Sequence, residues 1–321
     1  SDAVAGVVNF IVDKKFSGLK ATAQMGISQR GDAKEYNLGL AYGTAFGDGR
    51  GHILAAVEYN DSKGMGDCYT RIDWCPNEQL LSNTPAGSDG LPANMRVGPN
   101  GTATQSVGGL INAGPLRGLT FNSNGTTRPY GYGRFYGTNL SPLFTLGGEN
   151  SLASGFLLGI TLLPPVERLT SYFHADYEFS DSLKANIDLS FGQVKGTVHG
   201  SAARITDAVI RRDNAYLPTA TGTLMDNNAI TSFTLGRFFS DRGGSVNKSD
   251  NKTYRAVVSL EGLIGGSWGW DAYYQYGRNE FEQRYTGNVV VARLRNALDA
   301  VGSGSNIRCR INADAVTTND D

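Results

Sequence analysis

An aromatic segment with a single arginine is the first candidate for ligand binding. It reads YGYGRFY and contains Tyr130, Tyr132, Arg134, Phe135 and Tyr136. Aromatic rings stack on sugar rings and on aromatic chelators, and a guanidinium adds a positive charge to such a surface. The segment therefore predicts a ligand-contacting surface. The alternative is that these rings pack against one another within a large loop.

Two adjacent arginines, Arg211 and Arg212, are the second candidate for ligand contact. Their guanidinium groups could hold an anionic ligand through charge-assisted hydrogen bonds. The alternative is that both arginines pair with other residues of the loops that contain them.

Three cysteines bear on metal binding and on the redox environment. Cys68 and Cys75 enclose six residues in the polar segment CYTRIDWC, and Cys309 lies near the end of the sequence. The CxxC spacing of zinc sites does not occur. We therefore predict a short-loop disulfide between Cys68 and Cys75, which requires an oxidising compartment. Cys309 either pairs with a cysteine beyond Asp321 or is a buried free thiol.

Signatures of catalysis are weak in this sequence. The three histidines, His52, His174 and His199, match no metal-ligand spacing. The phosphate-binding pattern GxxxxGK[ST] is also missing. A net charge of −1 and a pI of about 6.3 predict no basic surface for nucleic acid. We predict neither an enzyme nor a cofactor, and neither a metal site nor a nucleic-acid partner.

Composition and periodicity favour long strands. The chain holds 42 glycines, 15 tyrosines and 14 phenylalanines. It has no apolar run of about 18 residues, the length that would mark a membrane-spanning helix. Apolar and polar residues alternate with period 2, which is the pattern of strands with one apolar face. The predicted strands cover residues 18–29, 34–46, 51–63, 167–180, 182–195, 251–263 and 267–285.

The connections between these strands differ in length. Short turns rich in Gly, Asp and Ser join strands two and three, four and five, and six and seven. Long segments, about 64–165, 196–250 and 286–321, follow strands three, five and seven. Short turns on one side and long loops on the other are typical of bacterial outer-membrane barrels. The strands also exceed the usual five to six residues of soluble sheets, as a tilted bilayer crossing requires.

The first sixteen residues do not follow the strand pattern. They begin SDAVAGVVN, residues 1–9, and continue to the paired lysines Lys14 and Lys15. This segment resembles the end of the plug domain in TonB-dependent outer-membrane receptors, where it directly precedes the first barrel strand. Residues 167–181 look like a strand and periplasmic turn that are common in the same receptors.

The resemblance implies an all-β fold, an antiparallel transmembrane β-barrel. Receptors of this kind have 22 strands around a plugged lumen, so the chain would contain about seven of them. Residues 1–16 would be the C-terminal end of the plug domain, and residues 17–321 the N-terminal third of the barrel with its long extracellular loops. We therefore expect the chain to be a piece of a longer protein.

The resemblance also implies active uptake of a scarce ligand such as a siderophore, a cobalamin or an oligosaccharide. The expected partners are TonB, outer-membrane lipid and an extracellular small ligand, in the outer membrane of a Gram-negative bacterium. On this interpretation Glu58, His174, Asp176, Arg255 and Glu261 line the lumen or face the plug. The alternatives are a passive porin, which would lack the plug motif, and a surface binding or adhesion barrel, which would need no lipid-facing girdle of aromatic residues.

Overall fold

Strands dominate the secondary structure. The computed structural model describes residues 12–77, 79–82, 92, 94–135, 144–149, 159–313, 316 and 318. The strands of this part, in chain order, are β1 (Gly18–Gly26), β2 (Glu35–Phe46), β3 (Gly51–Ser62), β4 (Gln79–Ser82), β5 (Asn94–Val97), β6 (Asn100–Thr102), β7 (Leu110–Ala113), β8 (Leu119–Phe121), β9 (Thr127–Pro129), β10 (Arg134–Phe135), β11 (Phe144–Leu146), β12 (Val166–Ser180), β13 (Leu183–Ala202), β14 (Arg204–Arg211), β15 (Ser232–Phe238), β16 (Gly244–Ile264), β17 (Trp268–Thr286), β18 (Ala300–Val301) and β19 (Arg308–Cys309).

Helices are short and few in the described residues. The α-helices are α1 (Thr219–Asn227) and α2 (Val291–Leu298). Single 3-10 turns span Cys68–Arg71, Cys75–Asn77, Ser240–Arg242, Gly304–Asn306 and Arg310–Asn312. Within this part of the chain no helix has the length and apolar character needed to cross a membrane.

The chain divides into two compact units. The first comprises Ser1–Met65, Pro164–Thr197 and Lys248–Arg284. The second comprises Gly66–Leu163, Val198–Asn247 and Tyr285–Asp321.

A seven-stranded sheet organises the first unit. Its strand order is β1-β2-β3-β12-β13-β16-β17, so these seven strands are arranged in the sheet in the same order as along the chain. The first five strands pair antiparallel, and their register is continuous apart from a shift between Glu178 and Ser180 at the end of β12. The prediction of an antiparallel β fold built from seven long strands is therefore confirmed. Because neighbours are antiparallel, tight turns and long connections alternate between the two ends of the sheet.

Three strand boundaries differ by three residues or more from those expected from the alternation. Strand β1 ends at Gly26 instead of residue 29. Strand β13 continues to Ala202 and β16 begins at Gly244, so both enter the segment 196–250 that we expected to be loop. The residues that extend β13 and β16 are mostly small or polar, so apolar and polar residues do not alternate there with period 2. Backbone pairing does not need this alternation, since the ladder hydrogen bonds join main-chain groups.

One face of the seven-stranded sheet is apolar and exposed. The register sets Leu19, Tyr42, Ala55, Phe173 and Leu189 side by side in one row across five strands. Leu19 is 69% exposed, Tyr42 49% and Leu189 40%. Soluble proteins rarely expose a contiguous apolar surface of this extent, and such surfaces mark contact with a membrane or another protein.

The opposite face of the same sheet is polar and includes buried residues. His52, His174 and Asp176 are 5%, 2% and 3% exposed. The polarity of the sheet is thus the reverse of that in a soluble sheet, where the apolar face packs on a core and the polar face meets water.

The second unit has its own hydrophobic core. A five-stranded sheet of order β14-β15-β7-β8-β9 packs there with helix α1. The buried core residues are Ile111, Leu116, Met225, Ile230 and Phe233. The sequence predicted only long loops for these segments. Smaller sheets of order β10-β11-β6, β4-β5 and β18-β19 complete the strand pairing.

A disulfide closes a short loop in the second unit. Cys68 and Cys75 are bonded, with their Cα atoms 5.4 Å apart. Cys309 is a half-buried free thiol. The side chain of Asp67 accepts a hydrogen bond from the backbone N–H of Tyr69 and so caps the 3-10 turn that holds Cys68.

We expect Cys68→Ser combined with Cys75→Ser to lower the free energy of unfolding by about 2 kcal/mol, because a closed loop of this length restricts the unfolded chain. Denaturant unfolding under non-reducing conditions measures the change. Cys309→Ser is the control and should stay within about 0.5 kcal/mol of the unmodified protein. Equal stability of the double variant and this control would contradict the prediction.

Candidate functional site

A short N-terminal segment, residues 12–17, lies against the polar face of the seven-stranded sheet. The Lys14 ammonium donates to Asp188 Oδ2 at 2.9 Å, and the Lys15 ammonium to Asp176 Oδ1 at 2.8 Å. Ser17 Oγ lies 3.2 Å from His52 Nε2. Residues far apart in the sequence thus attach this segment to three strands, β3, β12 and β13.

The segment approaches the sheet closely at Gly43 of β2. A Cβ atom at this position would overlap the carbonyl oxygen of Phe16 and contact the ring of His52. Glycine is therefore required here for steric reasons, as at other positions where two backbones approach closely.

His174 lies at the centre of the polar cluster. The register of β12 and β13 places it opposite Asp188, and its Nδ1 is 2.9 Å from Asp188 Oδ1. Its Nε2 is 3.3 Å from Asp176 Oδ2, which is an ion-pair distance without hydrogen-bond geometry. His174 and Asp176 share a face because they are two residues apart on one strand.

A third lysine and a tyrosine complete the cluster. Lys184 Nζ lies 3.5 Å from Asp176 and 3.4 Å from Glu261 of β16. The Tyr172 hydroxyl donates a short hydrogen bond to Asp188. Three lysines and three carboxylates therefore balance in charge, and the arrangement suits attachment of the N-terminal segment better than catalysis.

The polar residues predicted to line the lumen lie on this same face. Glu58 accepts a hydrogen bond from Asn37 at 2.7 Å, and Arg255 donates one to Gln275 at 3.1 Å. Glu261 accepts a weak contact from Asn186, which also lies 3.3 Å from Ser259. These contacts place Glu58, Arg255 and Glu261 with His174 and Asp176 on the polar side of the sheet.

Sequence reasoning missed five members of the cluster, which are Lys14, Lys15, Tyr172, Lys184 and Asp188. The alternation of the predicted fifth strand already puts Lys184 and Asp188 on its polar face, so position parity would have found them. The partners of Lys14 and Lys15 lie more than 150 residues away in sequence, and no local pattern predicts them.

The aromatic segment forms a packed cluster in the second unit. Tyr130 is 7% exposed and meets Tyr132 edge to face with ring centroids 4.8 Å apart. Tyr132 in turn lies 5.4 Å from Phe135, which is 47% exposed. Arg134 is exposed, and Tyr136 lies outside the described residues. The rings thus pack against one another, and Phe135 presents the most open ring of the three.

An ion pair borders the aromatic cluster. Both terminal nitrogens of Arg128 donate to the Glu149 carboxylate, at 2.5 and 2.7 Å, and the Gly131 backbone N–H donates to it at 2.7 Å. The hydrogen bonds from Arg128 lower the pKa of Glu149, and burial raises the pKa of Tyr130. A Cβ on Gly131 would lie 3.0 Å from Glu149 Oε1, so glycine permits this approach.

The two candidate arginines both pair with carboxylates of the second unit. Arg211 Nε lies 3.5 Å from Asp299, and Arg212 donates two hydrogen bonds of 2.7 Å to Asp226. These contacts agree with the alternative to ligand binding, in which both arginines pair with other residues of the loops.

The neighbouring ion pair of Arg310 and Asp213 makes a pH-dependent contribution to the free energy of unfolding. Arg310 donates two hydrogen bonds to Asp213, at 3.0 and 2.6 Å, and holds the pKa of this carboxyl below its ordinary value. A carboxyl with a lowered pKa stabilises the fold fully above its ordinary pKa of about 3.9, and the stabilisation is lost as pH falls through the lowered value.

We therefore expect Asp213→Asn to lower the free energy of unfolding by at most about 1 kcal/mol at pH 7, as for exposed ion pairs. The difference from the unmodified protein should shrink below about pH 4, where Asp213 begins to be protonated in the unfolded chain. Urea unfolding at a series of pH values measures it. A difference that grew on acidification would contradict the sign of the pKa shift.

Within the part of the chain that the structure describes, no group of three or more His, Cys, Asp or Glu side chains is arranged to hold a metal ion. Comparison of the chain with protein-family models, curated proteins and solved structures finds no match.

Proposed function

We propose that the protein is a TonB-dependent outer-membrane receptor that takes up a scarce extracellular ligand. The seven-stranded sheet would be part of the wall of a transmembrane β-barrel, with its apolar face toward lipid and its polar face toward the lumen. TonB would supply the energy for uptake.

The observation that carries the proposal is the reversed polarity of the seven-stranded sheet. Leu40 is 48% exposed and Val57 42%, while His174 and Asp176 on the other face are buried. Lipid solvates an exposed apolar face without cost, and a protein-filled lumen surrounds polar residues, so a barrel wall accounts for both faces.

The N-terminal segment supports a plugged barrel over an open pore. In a receptor of this family the end of the plug lies against the inner wall before the first barrel strand. Residues 12–17 directly precede β1 and pair with carboxylates on the polar face through Lys14 and Lys15. A water-filled channel of the porin kind does not need a segment before its first strand that is attached to the inner wall.

The connections agree with this orientation. Residues 47–50, 181–182 and 265–267 form tight turns, whereas the connections from β3 to β12 and from β13 to β16, which join the opposite ends of these strands, are long. Short turns would then face the periplasm and long loops the exterior.

Deletion of the gene in its host, followed by growth on a panel of ferric siderophores, cobalamin and oligosaccharides, tests the function. We expect growth on one of these nutrients to fail, and the same growth to fail when TonB is deleted. Nutrient uptake that persists without TonB would indicate a passive porin. Recovery of the full-length protein in the soluble fraction without detergent would contradict the proposed transmembrane barrel.

A further inference from the structure

A small polar pocket lies beside Tyr130 in the second unit. Its volume is about 110 Å³, several times the 10–15 Å³ that one water molecule needs by the same measure. The residues that give it chemical character are Ser106, Thr120, Arg128, Tyr130 and Glu149.

Ser106 provides a buried hydroxyl without a partner. The residue is 6% exposed, and among the described residues its Oγ has no hydrogen-bond partner. Buried hydroxyl groups nearly always bond to protein, water or ligand, so the unpaired Ser106 hydroxyl can bond to a water molecule or to a ligand group that replaces it in the cavity. Thr120 Oγ1 donates to the Gly109 carbonyl at 2.7 Å, which leaves its oxygen free to accept.

The charges at the pocket cancel. Arg128 holds Glu149 through two hydrogen bonds and donates a third to the Pro129 carbonyl at 3.2 Å. A guanidinium has five N–H donors and a carboxylate about four acceptor sites, so both groups can form further hydrogen bonds. The pocket therefore offers neighbouring donors and acceptors without a net charge that would attract an anion.

We infer that this pocket binds hydroxyl groups of a neutral sugar. The inference rests on the proposed function and identifies its ligand as an oligosaccharide instead of an anionic ferric chelate. A sugar hydroxyl donates and accepts at once, which matches Ser106 and the Arg128–Glu149 pair. The rings of Tyr130, Tyr132 and Phe135 form a continuous series from the pocket to an exposed ring on which a sugar can stack.

Saturation-transfer NMR on the purified full-length protein tests the inference. The protein is held in lauryldimethylamine oxide, a detergent without sugar groups, and the probes are maltotriose, cellotriose, xylotriose and a ferric tris-catecholate. We expect at least one trisaccharide to bind. Glu149→Gln should weaken this binding at least tenfold, and Ser106→Ala, which removes one hydroxyl and leaves the fold intact, severalfold.

The matched control is Asp226→Asn. It alters another carboxylate of the same unit that holds an arginine, Arg212, through two hydrogen bonds. This variant should bind the trisaccharide as the unmodified protein does.

Sugar binding that Glu149→Gln and Ser106→Ala leave unchanged would overturn the inference, as would binding of the catecholate alone or of no trisaccharide at millimolar concentration. None of these results bears on whether uptake depends on TonB, which the gene deletions test separately. Conversely, trisaccharide binding by a protein whose uptake does not need TonB would overturn the proposed function and leave the sugar site in place.

Discussion

Leu40→Arg is expected to destabilise the protein in a lipid bilayer by about 2–4 kcal/mol, the cost of an arginine on the lipid face near the midplane of a barrel. Leu40 lies in the middle of β2, opposite Ala21 on one neighbouring strand and Val57 on the other. It is 48% exposed. In a soluble sheet an exposed residue of this kind would tolerate the change within about 0.5 kcal/mol.

The size of the effect therefore distinguishes lipid from water around the apolar face. Urea unfolding of the full-length protein in phospholipid vesicles gives the free energy of unfolding. Tyr216→Arg is the control, because Tyr216 is 72% exposed but belongs to the second unit. We expect it to have little effect. Equal small effects of the two substitutions would mean that water surrounds the apolar face.

Asp176→Ala is expected to lower the free energy of unfolding by about 2 kcal/mol, because it removes a hydrogen bond between charged groups whose carboxylate is buried. The Asp176 side chain is 1% exposed, and it holds Lys15 at 2.8 Å and Lys184 at 3.5 Å. Its removal leaves His174 with one carboxylate in place of two. The loss also detaches the N-terminal segment at Lys15.

Two measurements report on Asp176→Ala. Urea unfolding gives the change in stability, and trypsin cleavage after Lys14 and Lys15 reports on attachment of residues 12–17. Glu167→Ala is the matched control, since Glu167 pairs with Lys195 at 3.4 Å where both side chains are more than 40% exposed. This control should cost less than about 1 kcal/mol. Unchanged trypsin resistance in Asp176→Ala would argue against the lysine–carboxylate attachment.

The sheet was predictable from sequence because one local pattern encodes it. Alternation assigned Leu38 and Leu40 to one face and Asn37 to the other, and the register keeps these faces consistent across the sheet. A slip by one residue would move every apolar side chain to the polar side, so alternation specifies register strongly. Turn residues such as Gly47 and Gly49, which adopt positive φ, marked the ends of strands.

The second unit was not predictable in the same way. Ile111 and Phe233 share a core although about 120 residues separate them, and the strand β7 that holds Ile111 has only four residues. The pocket beside Tyr130 likewise brings Ser106 and Glu149 together through tertiary packing alone.

Spin labels along β2 test the barrel wall most directly. Single cysteines at Asn37, Leu38, Leu40, Ala41 and Tyr42, in a Cys309→Ser background, carry a nitroxide in the full-length protein in vesicles. Collisions with oxygen, which concentrates in lipid, and with a water-soluble nickel chelate are then compared. We predict that labels at Leu38, Leu40 and Tyr42 collide with oxygen and that labels at Asn37 and Ala41 do not. Frequent nickel collisions at the three apolar positions would show that water covers this face and would contradict the account.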